Sequence, residues 1–506
     1  MKNILIDYRK ELFIIFTILL FFIVRFLIIG RLQLAPDEAY YWYWSKHLDF
    51  SYADHPPLVA YIMAAFTAIG GNTEFFVRLG GMILCILSLC FLYKSCVILF
   101  PKDKSIAWEI LFLINITLLF SAGCIVQTPD TPLFFFWMAA FYCASKVISD
   151  GQAKYWYWGG VALGFGLLSK YTMILIIPCL FLFFLVSPRD RHWLKRKEPY
   201  LAILIALIIF SPVIYWNWQH NWVSFLYQLQ HGLAPKKIQI FQILSKLLEY
   251  LGGQAGIVTP LLFISFVIYS IKGVFQSTIN NNRIYLFLVC LSWPIFIFFW
   301  FSSALGKVAE ANWPAPAYIA GGILSLDVFN RFYKNNVLHK YFVSAGIVLV
   351  VIINILIHIH LIFPFLPIPA KIDPTNQFHG WRELGVVIND YVKNTTNSEN
   401  IRFIAGDRGT IVAEAVFYTN NNFIGIDFKQ PQRYIFLKDI GYLKEKDAII
   451  ITRDSGISSL KKYEDYFASC EFITAYDLLF RDEKIKSYRF LIARGNTFRG
   501  NWSPLP

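Results

Sequence analysis

The sequence predicts an α-helical polytopic membrane protein that carries a small polar domain after its last apolar segment. The chain of 506 residues is 57% hydrophobic and 16% charged, whereas a typical soluble protein is about 25% charged. Its mean hydropathy is +0.50. Long apolar segments recur up to residue 363, and the composition is polar from residue 364 onward. The few polar residues could not cover the surface of a series of soluble domains. The predicted environment is therefore a membrane.

Eleven apolar segments are predicted to span the membrane, since a span needs about 20 apolar residues. They are 12–30, 76–99, 106–122, 131–147, 155–169, 172–187, 199–217, 251–272, 284–303, 314–330 and 341–363. Segment 56–71 is too short to span; it has proline at its start and glycine at its end, which favours an interfacial or re-entrant helix. A second surface helix is predicted from the helical spacing of Ile240, Ile243, Leu244, Leu247 and Leu248.

The distribution of basic residues predicts the orientation in the membrane. Lysine and arginine concentrate in the odd-numbered connections, such as "DYRK", "PKDK" and "SPRDRHWLKRK". The positive-inside rule makes these connections cytoplasmic, with the N-terminus inside and the polar tail outside. This topology explains the net charge of +13 without a nucleic-acid partner. The first apolar run is long and lacks a small-residue cleavage site, so we expect a retained span rather than a signal peptide.

The polar tail predicts a second domain. Short segments with alternating hydrophobicity, such as "IRFIAG" and "AIIITRD", lie between helical patterns. This order is typical of a small α/β domain. The sequence therefore divides into a membrane domain, 1–363, and an external α/β domain, 364–506.

The loop after the first span, "LAPDEAYYWYWSKHLDFSYADHPPL", holds acids and aromatic rings on the predicted external face. Asp37 and Glu38 could act as a general base or bind a divalent cation; the alternative is a capped, solvated turn. Asp54 and His55 form a second polar pair before two prolines, which favour an extended backbone at His55. His55 could contact a cation or a phosphate, or only begin the next helix. Tyr40, in the ring cluster, is a candidate contact for a sugar.

Two further external positions place a charge beside apolar spans. Asp130 lies between two prolines in "QTPDTP", where an acid that faced lipid without a partner would be costly. The alternative is a cap for the helix that follows. Lys170 stands in the short turn of "GLLSKYT", against the positive-inside bias. It could bind a phosphate, or it could be a snorkelling side chain at the end of a span.

The last external loop, "SSALGKVAEANWPAP", adds a lysine for a phosphate, an acid that could pair with it, and an amide and an indole for a sugar. These residues are Lys307, Glu310, Asn312 and Trp313. Arg25 lies inside the first span, where an arginine is a functional candidate by default. Pairing with a loop acid such as Asp37 is its structural alternative. Together these residues favour a substrate that is anionic, linked to lipid and carries a sugar.

Four motifs in chain order resemble the GT-C superfamily of membrane glycosyltransferases over roughly residues 10–330. They are "APDEAYYWYWSKHLDFSYADHPPLVAY", "TPDTPLFFFW", "LGFGLLSKYT" and "ANWPAPAY". The similarity is to the bacterial branch that contains lipid A aminoarabinose transferase and the lipopolysaccharide galacturonosyl transferases; protein O-mannosyltransferases are more distant. The resemblance implies inverting transfer of a monosaccharide from undecaprenyl phosphate to lipid A or lipopolysaccharide. It also implies a bacterial inner membrane and a site on the periplasmic face.

The resemblance implies a role for each candidate residue. The catalytic group would be Asp37, Glu38 and Asp130, and the group near the donor phosphate would be Lys170, Lys307 and Arg25. The pocket for the sugar or the acceptor would be lined by His55, Asp54, Tyr40, Glu310, Asn312 and Trp313. A divalent cation, bound by Asp37 and His55, is optional, because parts of the superfamily use one and others do not.

Two other classes of function compete with a transferase. A transporter or flippase of lipid-linked sugars would need polar residues or broken helices near the bilayer midplane, whereas the polar candidates here gather in the external loops. A scaffold that binds a partner through its outer domain would not need Asp37, Asp130 or Lys170. Within the transferase class, a protein acceptor is the alternative to lipid A, and the motifs do not specify the sugar.

Overall fold

The computed structural model describes residues 2–233, 240–305, 308–420, 423–453, 456–481 and 483–504. The chain divides into two compact units. The first unit comprises Met1–Phe26, Gly81–Ile125 and Pro129–Ile357. The second comprises Leu27–Gly80, Val126–Thr128 and His358–Pro506.

Helices dominate the described part of the chain. In order they are α1 (Lys2–Ile29), α2 (Pro36–Lys46), α3 (Leu58–Gly70), α4 (Glu74–Leu99), α5 (Ser105–Ile116), α6 (Leu118–Ile125), α7 (Asp130–Asp150), α8 (Lys154–Ser169), α9 (Ile176–Val186), α10 (Glu198–Gln219), α11 (Val223–Leu233), α12 (Ile240–Val258), α13 (Pro260–Ile279), α14 (Arg283–Cys290), α15 (Trp293–Leu305), α16 (Ala315–Val328), α17 (Val337–Ile362), α18 (Trp381–Asn394) and α19 (Gly409–Tyr418). The strands are β1 (Ile401–Gly406), β2 (Ile424–Asp427), β3 (Asp447–Arg453), β4 (Phe467–Phe480) and β5 (Glu483–Phe498).

The chain is a multi-pass membrane protein. Seven helical segments in the described residues are long and apolar enough to cross a membrane, namely Arg9–Ile29, Glu74–Leu99, Asp130–Asp150, Glu198–Gln219, Pro260–Ile279, Arg283–Leu305 and Val337–Ile362. Helices α5 and α6 would make an eighth span, bent by 68°. The predicted count of eleven is not confirmed. Segments 155–169, 172–187 and 314–330 are largely helical, but α8, α9 and α16 have only 16, 11 and 14 residues.

The predicted span 251–272 is wrong, because two helices meet inside it. Helix α12 ends at Val258 and α13 begins at Pro260. Proline disfavours a helical backbone at the residue before it, and Thr259 has a φ of 73°. The predicted amphipathic helix near residue 240 is confirmed as a helix, and it is longer than its apolar pattern indicated because α12 continues to Val258.

The break between α5 and α6 frees backbone carbonyl groups inside the first unit. Arg25 donates from Nη1 to Oδ1 of Asn115 at 3.0 Å and from Nη2 to the carbonyl of Asn115 at 2.6 Å. The amide of Asn354 donates to the carbonyl of Ile116 at 2.7 Å. Within a membrane such groups must find partners in the protein. The buried Arg25 therefore stabilises a broken helix, and its role at a donor phosphate stays a prediction.

A mixed five-stranded sheet confirms the predicted C-terminal α/β architecture. Its strand order is β2-β1-β3-β5-β4. Strand β1 pairs in parallel with β2 and β3, while β5 pairs antiparallel with β3 and β4. Strand β3 has the burial expected of a central strand, since Ala448, Ile449 and Ile450 are fully buried.

The opening loop packs with this sheet domain and shares its compact unit. The ring of Trp42 in α2 meets the ring of Phe417 in α19 edge-on, with centroids 4.7 Å apart. The backbone N–H of Gly425 in β2 donates to the hydroxyl oxygen of Tyr43 at 2.8 Å. The predicted division at residue 364 assigned this loop to the membrane domain, and the compact units group it with the C-terminal residues instead.

The short helix predicted over 56–71 is confirmed. Helix α3 runs from Leu58 to Gly70 and is preceded by Pro57. It ends where Gly71 adopts a φ of 81°, a left-handed conformation that glycine reaches without a steric penalty. The double proline and the terminal glycine thus bound a helix of 13 residues, which is too short to span a bilayer.

Candidate functional site

Asp130, Lys170 and Asn312 come together in the first unit. The ammonium of Lys170 donates to Oδ1 and Oδ2 of Asp130 at 2.8 and 2.9 Å. The amide Nδ2 of Asn312 donates to Oδ2 of the same carboxylate at 3.0 Å. We call these three residues the acid–lysine cluster. They are the sequence candidates that the structure of the first unit brings together.

Helix ends position the members of the cluster. Asp130 is the first residue of α7, where the helix dipole favours a negative charge. Lys170 directly follows the last residue of α8 and has an extended backbone, with φ −156° and ψ 138°. Asn312 lies in the loop that precedes α16, and its carbonyl accepts from the N–H of Ala315 at 3.1 Å. Three separate segments thus hold the cluster.

The cluster is partly shielded from solvent. The side chains of Lys170 and Asp130 are 10% and 14% exposed. Removal of one partner from a pair this desolvated strongly destabilises the folded protein, because the other charge stays buried. An ammonium has three N–H donors, and only two of those of Lys170 have an acceptor among the described residues. Lys170 is therefore equipped to bind a second anionic group.

Gln254 supports the loop that carries Asn312, and the sequence analysis missed it. Its Nε2 donates to the carbonyl of Ala311 at 3.1 Å, and its Oε1 accepts from the hydroxyl of Tyr318 at 3.0 Å. Gln254 is fully buried. The signal was available, since a lone amide in the apolar stretch "LGGQAGIV" needs a specific partner.

The remaining candidates of this loop are placed differently. Glu310 is exposed, and its carbonyl accepts from the N–H of Trp313 at 2.9 Å. The ring of Trp313 packs on Phe299 with centroids 5.9 Å apart. Lys307 lies outside the described residues. The roles expected for Glu310, Trp313 and Lys307 at a pocket stay predictions.

Glu38 is an anchor of the opening loop in the second unit. Arg78 donates from Nε to Oε1 at 2.8 Å and from Nη2 to Oε2 at 2.6 Å, and both side chains are fully buried. The backbone N–H groups of Ala35 and Gln127 donate to the same carboxylate at 3.0 and 2.8 Å. Four donors therefore occupy the carboxylate. This geometry favours a structural role for Glu38, and a catalytic role for it stays a prediction.

Arg78 was not singled out from the sequence. It lies in the first turns of a span, where an arginine is readily taken as an anchor at the membrane surface. Its Nη1 donates to the carbonyls of Ile29 and Leu32 and its Nη2 to that of Gln33, each at 2.8 Å. The overlooked signal is that Arg78 and Glu38 are opposite charges in otherwise apolar surroundings, and such charges are expected to pair.

Asp37 differs from its neighbour Glu38 in exposure. It is an exposed residue in the first turn of α2. Glu38 turns inward at the next position and holds the start of the helix through Ala35. The adjacent acids thus divide into one that fixes the loop and one that solvent reaches. Of the two, Asp37 is the carboxylate that a substrate could contact.

Asp54 and Tyr40 meet Arg433 within the second unit. Nε of Arg433 donates to Oδ2 of Asp54 at 2.8 Å, and the guanidinium lies 4.4 Å from the centroid of the Tyr40 ring. The hydroxyl of Tyr40 donates to the carbonyl of Arg433 at 2.8 Å. Burial, followed by the charge of Asp54, raises the pKa of Tyr40 well above its usual value. The fully buried ring of Tyr40 faces protein, and its expected contact with a sugar stays a prediction.

His55 is half-buried beside Tyr41, with ring centroids 6.1 Å apart. The described residues contain no group of three or more His, Cys, Asp or Glu side chains placed to hold a metal ion. The suggested cation at Asp37 and His55 has no further ligand from these side chains there. Its presence stays a prediction.

Comparisons with known proteins agree with the motifs. A family model described as dolichyl-phosphate-mannose-protein mannosyltransferase matches residues 54–216. A lipid A galacturonosyltransferase, RgtD from Rhizobium johnstonii, is 26% identical over 294 residues. This alignment covers 57% of the chain and spans 59% of the length of that relative. Asp130 and Lys170 fall within the family match, and Asp37 and Asn312 fall outside it.

Two solved structures share the fold over nearly the whole chain. ArnT from Cupriavidus metallidurans bound to undecaprenyl phosphate aligns with a TM-score of 0.62 and 14% identity, covering 98% of this chain and 99% of that one. The apo form of ArnT aligns with a TM-score of 0.61 and 13% identity, covering 93% and 96%. The chain is thus similar to membrane glycosyltransferases in sequence over part of its length and in fold over nearly all of it. The resemblance predicted from the four motifs is thereby confirmed, and at these identities the structural likeness establishes the fold alone.

Proposed function

We propose that the chain is a glycosyltransferase that moves a monosaccharide from an undecaprenyl-phosphate donor to lipid A or lipopolysaccharide. The reaction would take place on the periplasmic face of a bacterial inner membrane. The contact of Lys170 with Asp130 carries the proposal, because it holds a partly buried ammonium with a remaining donor for an anion. A lipid-linked sugar phosphate supplies such an anion.

Lys170 is the proposed ligand of the donor phosphate. A charge-assisted hydrogen bond from an ammonium to a phosphate oxygen is stronger than a neutral one. Asp130 fixes the ammonium, and Asn312 fixes Asp130. Because both partners are held in advance, the ammonium needs little rearrangement as negative charge grows on the leaving phosphate.

The proposed transfer proceeds with inversion at the anomeric carbon. An oxygen of the acceptor forms a bond to that carbon, and the bond between the carbon and the phosphate oxygen breaks. The electron pair of this bond leaves with undecaprenyl phosphate. Where the acceptor is a phosphate group of lipid A, its oxygen is already ionised and Asp37 positions it. Where the acceptor is a hydroxyl, Asp37 accepts its proton.

The comparisons support this choice of substrates. RgtD is a lipid A galacturonosyltransferase, and one ArnT structure contains undecaprenyl phosphate. Both proteins are similar to this chain in sequence or in fold. Of the acceptors weighed from the motifs, lipid A therefore has the most direct support.

A protein acceptor is the second candidate. The family model over residues 54–216 is described as a mannosyltransferase that acts on protein. A hydroxyl of serine or threonine would then replace the acceptor on lipid A, and a general base would be required to remove its proton. Loss of activity in Asp37→Asn would be larger for this acceptor than for a phosphate.

Mass spectrometry of lipid A and of polyprenyl-phosphate sugars tests the proposal. We would compare cells that have no copy of the protein with cells that express the wild type, Lys170→Gln, Asp37→Asn or Lys146→Gln at equal membrane levels. Lys146 forms a surface pair with Asp150, with side chains 22% and 32% exposed, so its variant controls for the loss of one lysine. The same extracts would be searched for glycopeptides.

The expected result is a lipid A species with one added sugar in cells with the wild type or Lys146→Gln. Lys170→Gln should lose that species and accumulate the donor. Unchanged lipid A together with new glycopeptides would favour the protein acceptor. The transferase assignment would fail if neither product depended on the protein.

A further inference from the structure

A large apolar cavity in the first unit is lined by none of the three residues of the acid–lysine cluster. Its volume is about 570 Å³. Its walls come from α1, α5, α6, α13, α16 and α17. Phenylalanine, leucine, isoleucine and valine side chains supply most of the lining. Such a cavity suits hydrocarbon.

Polar residues gather at one end of the cavity. Lys10 pairs with Glu109, and the amide of Asn330 donates to Oε2 of Glu109 at 2.6 Å. Lys334 and Lys340 also line the cavity and are exposed. They follow Asn330 by four and ten residues, with Lys340 in the first turn of α17, which places them at this end. Neither has an acidic partner within the described residues. One carboxylate therefore stands against three ammonium groups, and the end carries a net positive charge.

Helix α16 separates this basic end from the acid–lysine cluster. Asn312 precedes the helix, while Asn330 and Lys334 follow it. Fourteen helical residues span about 21 Å. The basic end of the cavity and the cluster thus lie near opposite ends of one helix. The predicted orientation makes the basic end cytoplasmic.

We propose that this cavity binds an anionic phospholipid of the surrounding bilayer, with its phosphate at Lys334 and Lys340 and an acyl chain against the apolar walls. Basic pockets between membrane helices are known to take anionic head groups. The charge of the cavity end and its apolar interior match the two parts of such a lipid. This site goes beyond the proposed transfer reaction and does not depend on it.

Native mass spectrometry of the detergent-purified protein tests this site. Dioleoyl phosphatidylglycerol and dioleoyl phosphatidylcholine would be titrated separately, so that only the charge of the head group differs. The first variant is Lys334→Gln/Lys340→Gln. Its control is Lys146→Gln/Lys154→Gln, which removes the partly exposed Lys146 near the end of α7 and the exposed Lys154 at the start of α8. The second variant, Ser344→Trp, fills the cavity without a change of charge.

The wild type and the control should bind phosphatidylglycerol in preference to phosphatidylcholine. Loss of two lysines near a phosphate should weaken phosphatidylglycerol binding roughly 30-fold. Ser344→Trp should reduce the binding of both lipids. That result would show that a lipid acyl chain enters the cavity. This variant also tests the site if the double variant does not fold.

Three results would overturn the proposal. If the control variant lost as much phosphatidylglycerol binding as Lys334→Gln/Lys340→Gln, the effect would be a general attraction to surface charge and not binding at this cavity. Unchanged binding in both cavity variants would place the lipid elsewhere. Displacement of phosphatidylglycerol by undecaprenyl phosphate, with both lost in Lys334→Gln/Lys340→Gln, would assign the cavity to the donor. The third result would also contradict the role of Lys170 as the ligand of the donor phosphate. None of the three results tests whether sugar is transferred, so the lipid site and the transfer reaction fail separately.

Discussion

Glu38 and Arg78 form a fully buried ion pair with two hydrogen bonds, of 2.8 and 2.6 Å. The pair joins the start of α2 to the start of α4 in the second unit. Arg78 also donates to three backbone carbonyls at the end of α1 and in the segment that precedes α2. The Glu38–Arg78 ion pair therefore fixes the position of the opening loop. It also fixes the backbone of the exposed Asp37, which directly precedes Glu38.

Removal of Arg78 should destabilise the protein strongly. Arg78→Met leaves the carboxylate of Glu38 buried without a counter-charge, and such a change typically costs about 3–5 kcal/mol. The double variant Glu38→Gln/Arg78→Met should be more stable than Arg78→Met, because the buried charge is absent. Thermal unfolding in detergent measures both variants. Equal melting temperatures for the single and the double variant would contradict the ion-pair interpretation.

Lys170 and Asp130 should differ in their effects on transfer. Lys170→Gln removes the charge that stabilises the leaving phosphate and should lower kcat by about 10²–10³-fold. Asp130→Asn keeps an oxygen acceptor near Lys170 and should lower kcat less, because Asp130 acts through the position of the ammonium. Steady-state kinetics with a purified polyprenyl-phosphate sugar separate kcat from KM. A larger loss of kcat in Asp130→Asn would assign the direct role to the carboxylate instead.

Glu414 should make the stability of the second unit depend on pH. It is fully buried in α19, and neither carboxylate oxygen has a hydrogen-bond partner among the described residues. Burial, and then the charge of Glu38, raises its pKa well above the usual value. The folded protein keeps a proton that the unfolded chain loses above about pH 4. The free energy of unfolding should therefore fall as pH rises, by up to about 1.4 kcal/mol per pH unit, until the pKa of the folded state is reached.

Glu414→Gln removes this proton linkage. The melting temperature of the variant should increase relative to the wild type as the pH is raised from 5 to 8. Glu399→Gln, at an exposed position, is the control and should shift equally at both pH values. A constant difference between Glu414→Gln and the wild type would mean that Glu414 is already ionised in the fold.

His360 should be required where the chain leaves α17. Its Nδ1 accepts from the backbone N–H groups of Phe365 and Leu366 at 2.9 and 3.0 Å, so the proton is on Nε2, which donates to Asp373 at 2.8 Å. Burial opposes ionisation of Asp373, but hydrogen bonds from Thr375 and His360 outweigh it and lower the pKa of Asp373. His360→Leu leaves the two backbone N–H groups and Oδ2 of Asp373 without the partner that His360 supplies, and it should cost about 2–4 kcal/mol. Chemical denaturation measures the loss, with the exposed His192→Leu as the control.

Much of the fold could be predicted because long apolar segments and strand alternation are local signals. The bounds of α3 followed from two prolines and a glycine, and the C-terminal strands followed from their alternating hydrophobicity. The break at Thr259 could also have been predicted, because Pro260 disfavours a helical backbone at the residue before it. By contrast, no local signal marked the bend between α5 and α6, whose carbonyls depend on residues distant in sequence.

The sequence indicated which residues belong to the candidate site, but it did not indicate which of them contact each other. A charge at the end of an apolar span is costly, and this singled out Asp130 and Lys170. That these two bind each other depends on how α7 and α8 pack, which sequence spacing does not encode. The burial of the aromatic run of α2 was not predictable in the same way. Its rings pack against C-terminal residues of the second unit, as the contact of Trp42 with Phe417 shows, and the contact of Tyr40 with a sugar stays a prediction.

The contact between Asp54 and Arg433 joins residues 379 positions apart. At a synthesis rate of about 5–20 residues per second, the ribosome needs roughly 20–80 s to make the chain between them. During that interval the aromatic side chains of α2 have been synthesised and the strands that cover them have not. We therefore expect the opening loop to need chaperones on its side of the membrane until those strands have been made. A chain truncated before β1 would leave these rings without their partners, and it should be recognised by quality-control proteases even if every membrane span is inserted.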